Sequence, residues 1–195
     1  ASLLALAADA GSQPLTDIYR EYGRHAEQWA QESALKHAAG NEYRLWHAQL
    51  DDEHASVPLL QAIGRMDEHF QMSNPVRVLT SGVEQLASRT FYASGKWRMV
   101  ERVAWWGDYQ EPTPVIFGHY WRWSNHEVPP SHSRGEPDLF AGLAANRWLG
   151  PRANAFCVDF SVGVRYRERP LAPGARHLGR LAAVRWAERE LVFDD

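Results

Sequence analysis

Residues 112–121, Pro112-Thr113-Pro114-Val115-Ile116-Phe117-Gly118-His119-Tyr120-Trp121, restrict the fold more than any other stretch. A proline fixes its own φ and has no amide proton, so neither proline can lie inside a helix or a central strand. What remains for Val115, Ile116 and Phe117 is a short strand, and three consecutive large apolar residues predict burial on both of its faces. Gly118-His119 then closes the strand where the backbone must turn. An imidazole presented there is held by the sheet while its ring faces a cleft, a placement suited to a metal ligand.

Upstream of this strand the pattern is helical. Leu3, Leu4 and Ala7 suggest a short helix ending near Gly11, before the break at Pro14. From Thr16, a candidate cap, Ile18, Tyr22, Ala26 and Trp29 recur at helical spacing until Gly40, and a further helix runs from Asn41 past Leu45 and Trp46. Ser56-Val57-Pro58 reads as the start of another helix, with Leu59, Ile63, Met66 and Phe70 as its apolar stripe. Asn74-Pro75 marks the change to extended structure: a strand over residues 76–79, a turn at Ser94-Gly95, and alternation through residues 97–106. Phe156, Val158, Phe160 and Val162 alternate with Cys157, Asp159 and Ser161, and residues 181–186 and 191–193 form a hairpin. Helices followed by antiparallel-type strands predict an α+β chain, read as one domain over 1–195 with a helical part (1–72) and a sheet part (73–195). Residues 124–151 are too long for a simple connection and read as an insertion over a cleft.

The chain has 195 residues, of which 45% are hydrophobic and 12% aromatic, enough for a core and incompatible with a disordered protein. A net charge of -3 gives no electrostatic ground for binding nucleic acid or an anionic membrane. The single cysteine, Cys157, permits no internal disulfide and fits a reduced cytoplasmic setting; the opening Ala/Leu run is too short to span a bilayer.

Gly118-His119-Tyr120-Trp121, then residues 156–163 (Phe-Cys-Val-Asp-Phe-Ser-Val-Gly), then residues 179–186 (Gly-Arg-Leu-Ala-Ala-Val-Arg-Trp), together resemble the C-terminal half of a calcineurin-like metallophosphoesterase. The similarity is to bacterial members related to Ser/Thr protein phosphatases and diadenosine tetraphosphatases, and covers roughly residues 76–193. It implies a sandwich of two sheets with helices outside, a two-metal centre commonly of manganese or iron, and phosphomonoester or nucleotide substrates attacked by a metal-bound hydroxide. His119 would be one metal ligand. Tyr120, Trp121, Trp123 and Asp159 would be cleft or supporting residues. The family's N-terminal motifs, Asp-x-His, Gly-Asp-x-x-Asp-Arg-Gly, Gly-Asn-His-Glu and Val-His-Ala, are absent. The expectation is therefore the second half of such an enzyme, inactive by itself, needing the missing half or a second copy as companion and holding metal weakly alone.

Other candidates have simpler readings. Asp159 is a supporting acceptor or an aspartate bonding its own turn. Gly40-Asn41-Glu42 and His47-Ala48 imitate family motifs but read as helix punctuation. His47, Asp51 and His54, at i, i+4 and i+7, would share a helical face that is otherwise acidic and solvated. Trp97, Trp105, Trp106 and Trp148 read as core, while Trp121 and Trp123 lie where substrate would be, with Arg98, Arg102 or Arg122 available to phosphate. Cys157 is a packed thiol. The alternative function is a non-catalytic module that docks a partner through an aromatic sheet face.

Overall fold

A computed structural model describes residues 13–124, 135, 137–170 and 177–194. The first helix expected, over Leu3–Ala7, lies outside them, as do residues 125–134 of the long connection. The chain is α+β and divides into two compact units: Ala1–Val103 with Arg134–Pro137, and Ala104–Ser133 with Asp138–Asp195. The boundary falls after Val103, which groups the first hairpin with the helices before it.

In the first unit α1 (Leu15–Glu32) follows Pro14 and stops at Ser33, whose backbone is extended; α2 is Ala34–Trp46. The break expected at Gly40 thus occurs seven residues earlier, where the Ser33 hydroxyl accepts the Leu35 amide at 3.1 Å and caps α2. Helix α3 (Gln61–Met72) begins later than Ser56, because residues 57–60 instead lead in with Val57 and Leu60 buried against Met99. No residue of its own caps it. The Glu42 carboxylate, reaching across from α2, accepts the Ala62 and Ile63 amides at 3.2 and 2.9 Å, and so supplies both a cap and a charge suited to a helix N-terminus.

Residues 76–79 are not a strand. They belong to α4 (Pro75–Ser81), for which Asn74 is the N-cap and Pro75 the first residue. The fully buried Asn74 side chain accepts the Val76 amide at 3.1 Å and donates to the Tyr19 carbonyl at 2.9 Å, fastening α4 to α1. Strands β1 (Glu84–Ala93) and β2 (Lys96–Arg102) form an antiparallel hairpin about Ser94-Gly95, both at positive φ as a tight primed turn requires. Its register slips between Leu86 and Phe91. The extra residues of β1 hide its period-two signal, which is why only β2 is evident in the sequence. Gly64 lets α3 approach the hairpin: a Cβ there would lie 2.9 Å from the Met99 carbonyl and 2.4 Å from Leu86 Cδ1.

In the second unit Trp105–Asp108 is a 3-10 turn, not the end of a strand. Strands β3 (Val115–Phe117) and β4 (Ala155–Cys157) pair in parallel, and β5 (Ala182–Arg185) and β6 (Glu190–Phe193) form the expected antiparallel hairpin. The described strands thus make three separate two-stranded ladders in place of one mainly antiparallel sheet. Rings make up for the short ladders. Trp106 lies 5.1–5.4 Å from Phe117, Tyr120 and Phe140, and Phe160 lies 4.9 Å from Phe193. β4 is buried on both faces, whereas Ile116 in β3 is 42% exposed, so the two-sided burial expected of β3 belongs to its partner.

Candidate functional site

Phe117 and Cys157 are partners in the parallel pair. His119 lies two residues beyond the first and Asp159 two residues beyond the second, so the two leave adjacent strands at the same level, at the carboxyl ends where parallel sheets form their ligand crevices. The Asp159 carboxylate joins the two exits. Its Oδ2 accepts the His119 amide at 2.8 Å and its Oδ1 accepts the Ser161 amide at 2.9 Å. The Arg122 amide donates to the Asp159 carbonyl at 2.9 Å, and the Ser161 hydroxyl donates to the Arg122 carbonyl at 3.0 Å.

These bonds hold an unfavourable backbone. His119, Trp121 and Ser161 have φ of 68°, 53° and 59°. The left-handed region costs a residue with a Cβ about 1–2 kcal/mol, and such strain survives only where neighbours over-determine it, as at ligand sites. One consequence is a strict alternation: His119 and Trp121 project outward, while Tyr120 and Arg122 point into the core. Tyr120 packs edge-on against Trp106 and Phe117 and is a core residue, not a cleft wall. Trp123 is half-buried.

Arg122 does not face solvent phosphate. Its side chain is 1% exposed, with the guanidinium 5.2, 5.6 and 5.3 Å from the ring centres of Phe140, Phe156 and Phe160. Nη2 donates to the Ala144 carbonyl, while Nε and Nη1 are buried without a partner among the described residues. Burial lowers its pKa, opposed by Cys157 and Asp138 nearby. Cys157 is likewise sealed; desolvation, partly offset by a bond to the Asp159 backbone, pushes its thiol up to about 12. The described part of the long connection is no open cleft wall either, since Phe140 and Leu149 are core residues.

Three sequence candidates are not assembled as expected. His47, Asp51 and His54 share no helical face, because α2 ends at Trp46 and the following turns are pinned to the hairpin through Trp97 Nε1 and the Tyr92 hydroxyl, which donate to the Asp52 and Asp51 carbonyls. Gly40-Asn41 lies inside α2 and neither stops nor caps a helix. Ser161 was not singled out, although Asp159-x-Ser161 is a readable Asx turn, a short side-chain-to-backbone bond characteristic of Asp. Among the described residues no group of three or more His, Cys, Asp and Glu is gathered, so the chain offers at this site one outward imidazole, an adjacent indole and a carboxylate occupied by amides. No described helix is long and apolar enough to cross a membrane. No family model, curated protein or solved structure matches the chain.

Proposed function

We propose that this chain is the C-terminal portion of a two-metal phosphoesterase of the αββα type, acting on phosphomonoesters or nucleoside polyphosphates, to which it contributes His119 as a metal ligand. The observation that carries the reading is the exposed imidazole at the carboxyl end of β3, held left-handed by an aspartate from the equivalent position beyond β4. An imidazole is a donor suited to manganese or iron, and the chain supplies one of the several ligands such a centre needs. The remaining ligands come, in this reading, from a companion segment or subunit carrying the motifs missing here. The bound ions would neutralise phosphoryl charge and activate water. This chain's own share is positional: Asp159 fixes the His119 backbone, and Trp121, 45% exposed, presents an indole face beside it for a base or sugar to stack on. A reduced cytoplasmic setting accords with a lone buried thiol.

The test is His119→Ala in the intact protein, with manganese content and hydrolysis of p-nitrophenyl phosphate measured together. Loss of both supports the ligand role; retention of both refutes it. A second reading, a non-catalytic module docking another copy of itself, is favoured by Leu181, Trp186 and Val192, exposed by 55%, 53% and 41% around the β5–β6 hairpin. Native mass spectrometry of the chain without metal separates the two. A homodimer lost in Trp186→Ser supports self-docking, and a companion polypeptide with two divalent ions supports the phosphoesterase.

A further inference from the structure

Far in sequence from His119, a recess of about 330 Å³ is lined by Gln31, Ser33, Lys36, His37, Gly40 and Arg44, at the corner where α1 gives way to α2. Its chemistry is one-sided. Lys36 and His37 have no acidic partner among the described residues, and the guanidinium of Arg44 donates only to the neutral Asn41 side chain. The two nearby acids are engaged elsewhere: Glu32 accepts from Gln28 at 3.2 Å, and Glu42 caps α3. Helix α2 carries no acid in its first turn.

Gly40 is the second observation. A glycine inside a helix is unfavourable and usually reflects a close approach that a Cβ would obstruct, as at Gly64. At Gly40 an added Cβ would meet nothing within 4 Å. Packing therefore does not account for it. What its missing side chain does is leave open the floor between Lys36 and Arg44, which stand one turn to either side, about 12 Å apart along the axis. An arginine fork and a lysine ammonium lining one recess suit tetrahedral phosphate oxygens.

We propose that this recess binds a small polyanion of the phosphate class, gripped by Lys36 and Arg44 over Gly40. The site lies in the other compact unit from His119 and does not depend on the metal-ligand reading. The probe is inorganic pyrophosphate, titrated calorimetrically into the full chain at low ionic strength without metal. Saturable one-site binding is expected. Lys36→Ala and Arg44→Ala should each weaken it at least about tenfold, the worth of one charge-assisted contact. Gly40→Leu, which fills the floor while keeping all three basic groups and favouring the helix, should abolish it with the circular dichroism spectrum unchanged. Absence of saturable heat in the wild-type chain overturns the proposal. So does a Gly40→Leu chain that binds as the wild type does, since the attraction would then be diffuse surface charge and not a site.

Discussion

Replacing Asp159 by alanine tests the arrangement that presents His119. The carboxylate accepts two amides, at 2.8 and 2.9 Å, and the two bonds differ in what happens when it is removed. His119 is exposed, so its amide regains water and the loss is at the low end, about 1 kcal/mol. Ser161 is 4% exposed, so its amide is left buried and unsatisfied at about 1–3 kcal/mol. Against this, a released loop sheds part of its left-handed strain, about 1–2 kcal/mol for each residue that relaxes. If only His119 relaxes, because Ser161 is still held by its hydroxyl bond to Arg122, the net loss is about 1.5 kcal/mol. Urea unfolding followed by tryptophan fluorescence measures that loss, and amide hydrogen exchange locates it, with His119 exchanging faster. Asp159→Asn retains one acceptor and should fall between, keeping Ser161 protected and freeing His119. The reasoning fails if Asp159→Ala unfolds within about 0.5 kcal/mol of wild type, the range of an ordinary surface change, or if the His119 amide stays as protected as before.

Four further outcomes are expected. Gly64→Ala gains about 1 kcal/mol of helix propensity but drives a methyl into the Met99 carbonyl and Leu86, an overpacking of about 1–3 kcal/mol that makes the variant less stable in urea. Arg122→Met fills similar volume without a buried charge or orphaned donors, so its urea midpoint should match or exceed wild type, while Arg122→Ala lowers it by the equivalent of about 3 kcal/mol. A side-chain bond from Arg165 lowers the Asp194 pKa below its ordinary 3.8, so the bond stabilises the fold above that pH and the benefit disappears as pH falls through the lower folded value; Asp194→Asn should therefore melt earlier at pH 7 and indistinguishably from wild type once the wild-type Asp194 carboxyl is protonated. Cys157, with its thiol near 12 and 0% exposed, should resist iodoacetamide at pH 8 in the native chain and react in urea.

Where each segment's own residues decide its conformation, the sequence is readable. The β5–β6 hairpin, the Ser94-Gly95 turn and strand β3 have local causes in alternation, positive-φ residues or prolines, and all three form. Readings fail where a distant residue supplies the cause. Val76-Arg77-Val78-Leu79 has a strand's composition, yet Asn74 caps a helix there while also anchoring to Tyr19, and that long-range bond outweighs a β-propensity spread of roughly 1 kcal/mol. Helix α3 starts at Gln61 because Glu42 reaches it from another helix. At the candidate site, Gly118-His119 announces a turn after a strand, but nothing local indicates that Asp159, forty residues on, holds that turn in the left-handed region.

The second unit shows how such a turn can be sustained. Its ladders are three and four residues long, too short to supply much rigidity through backbone pairing. The rigidity comes from rings: Trp106 contacts Phe117, Tyr120 and Phe140, Phe117 contacts Tyr120, and Arg122 enters among Phe140, Phe156 and Phe160. Tyr120 and Arg122 alternate with His119 and Trp121, so burying the first pair in the aromatic core forces the second pair outward. Each inward ring contact contributes about 0.5–1.5 kcal/mol beyond area burial, and several of them offset the strain of the left-handed residues His119 and Trp121. The aromatic core thus supports from within the turn that Asp159 holds by hydrogen bonds, and thinning that core at Phe140 should loosen the His119 turn.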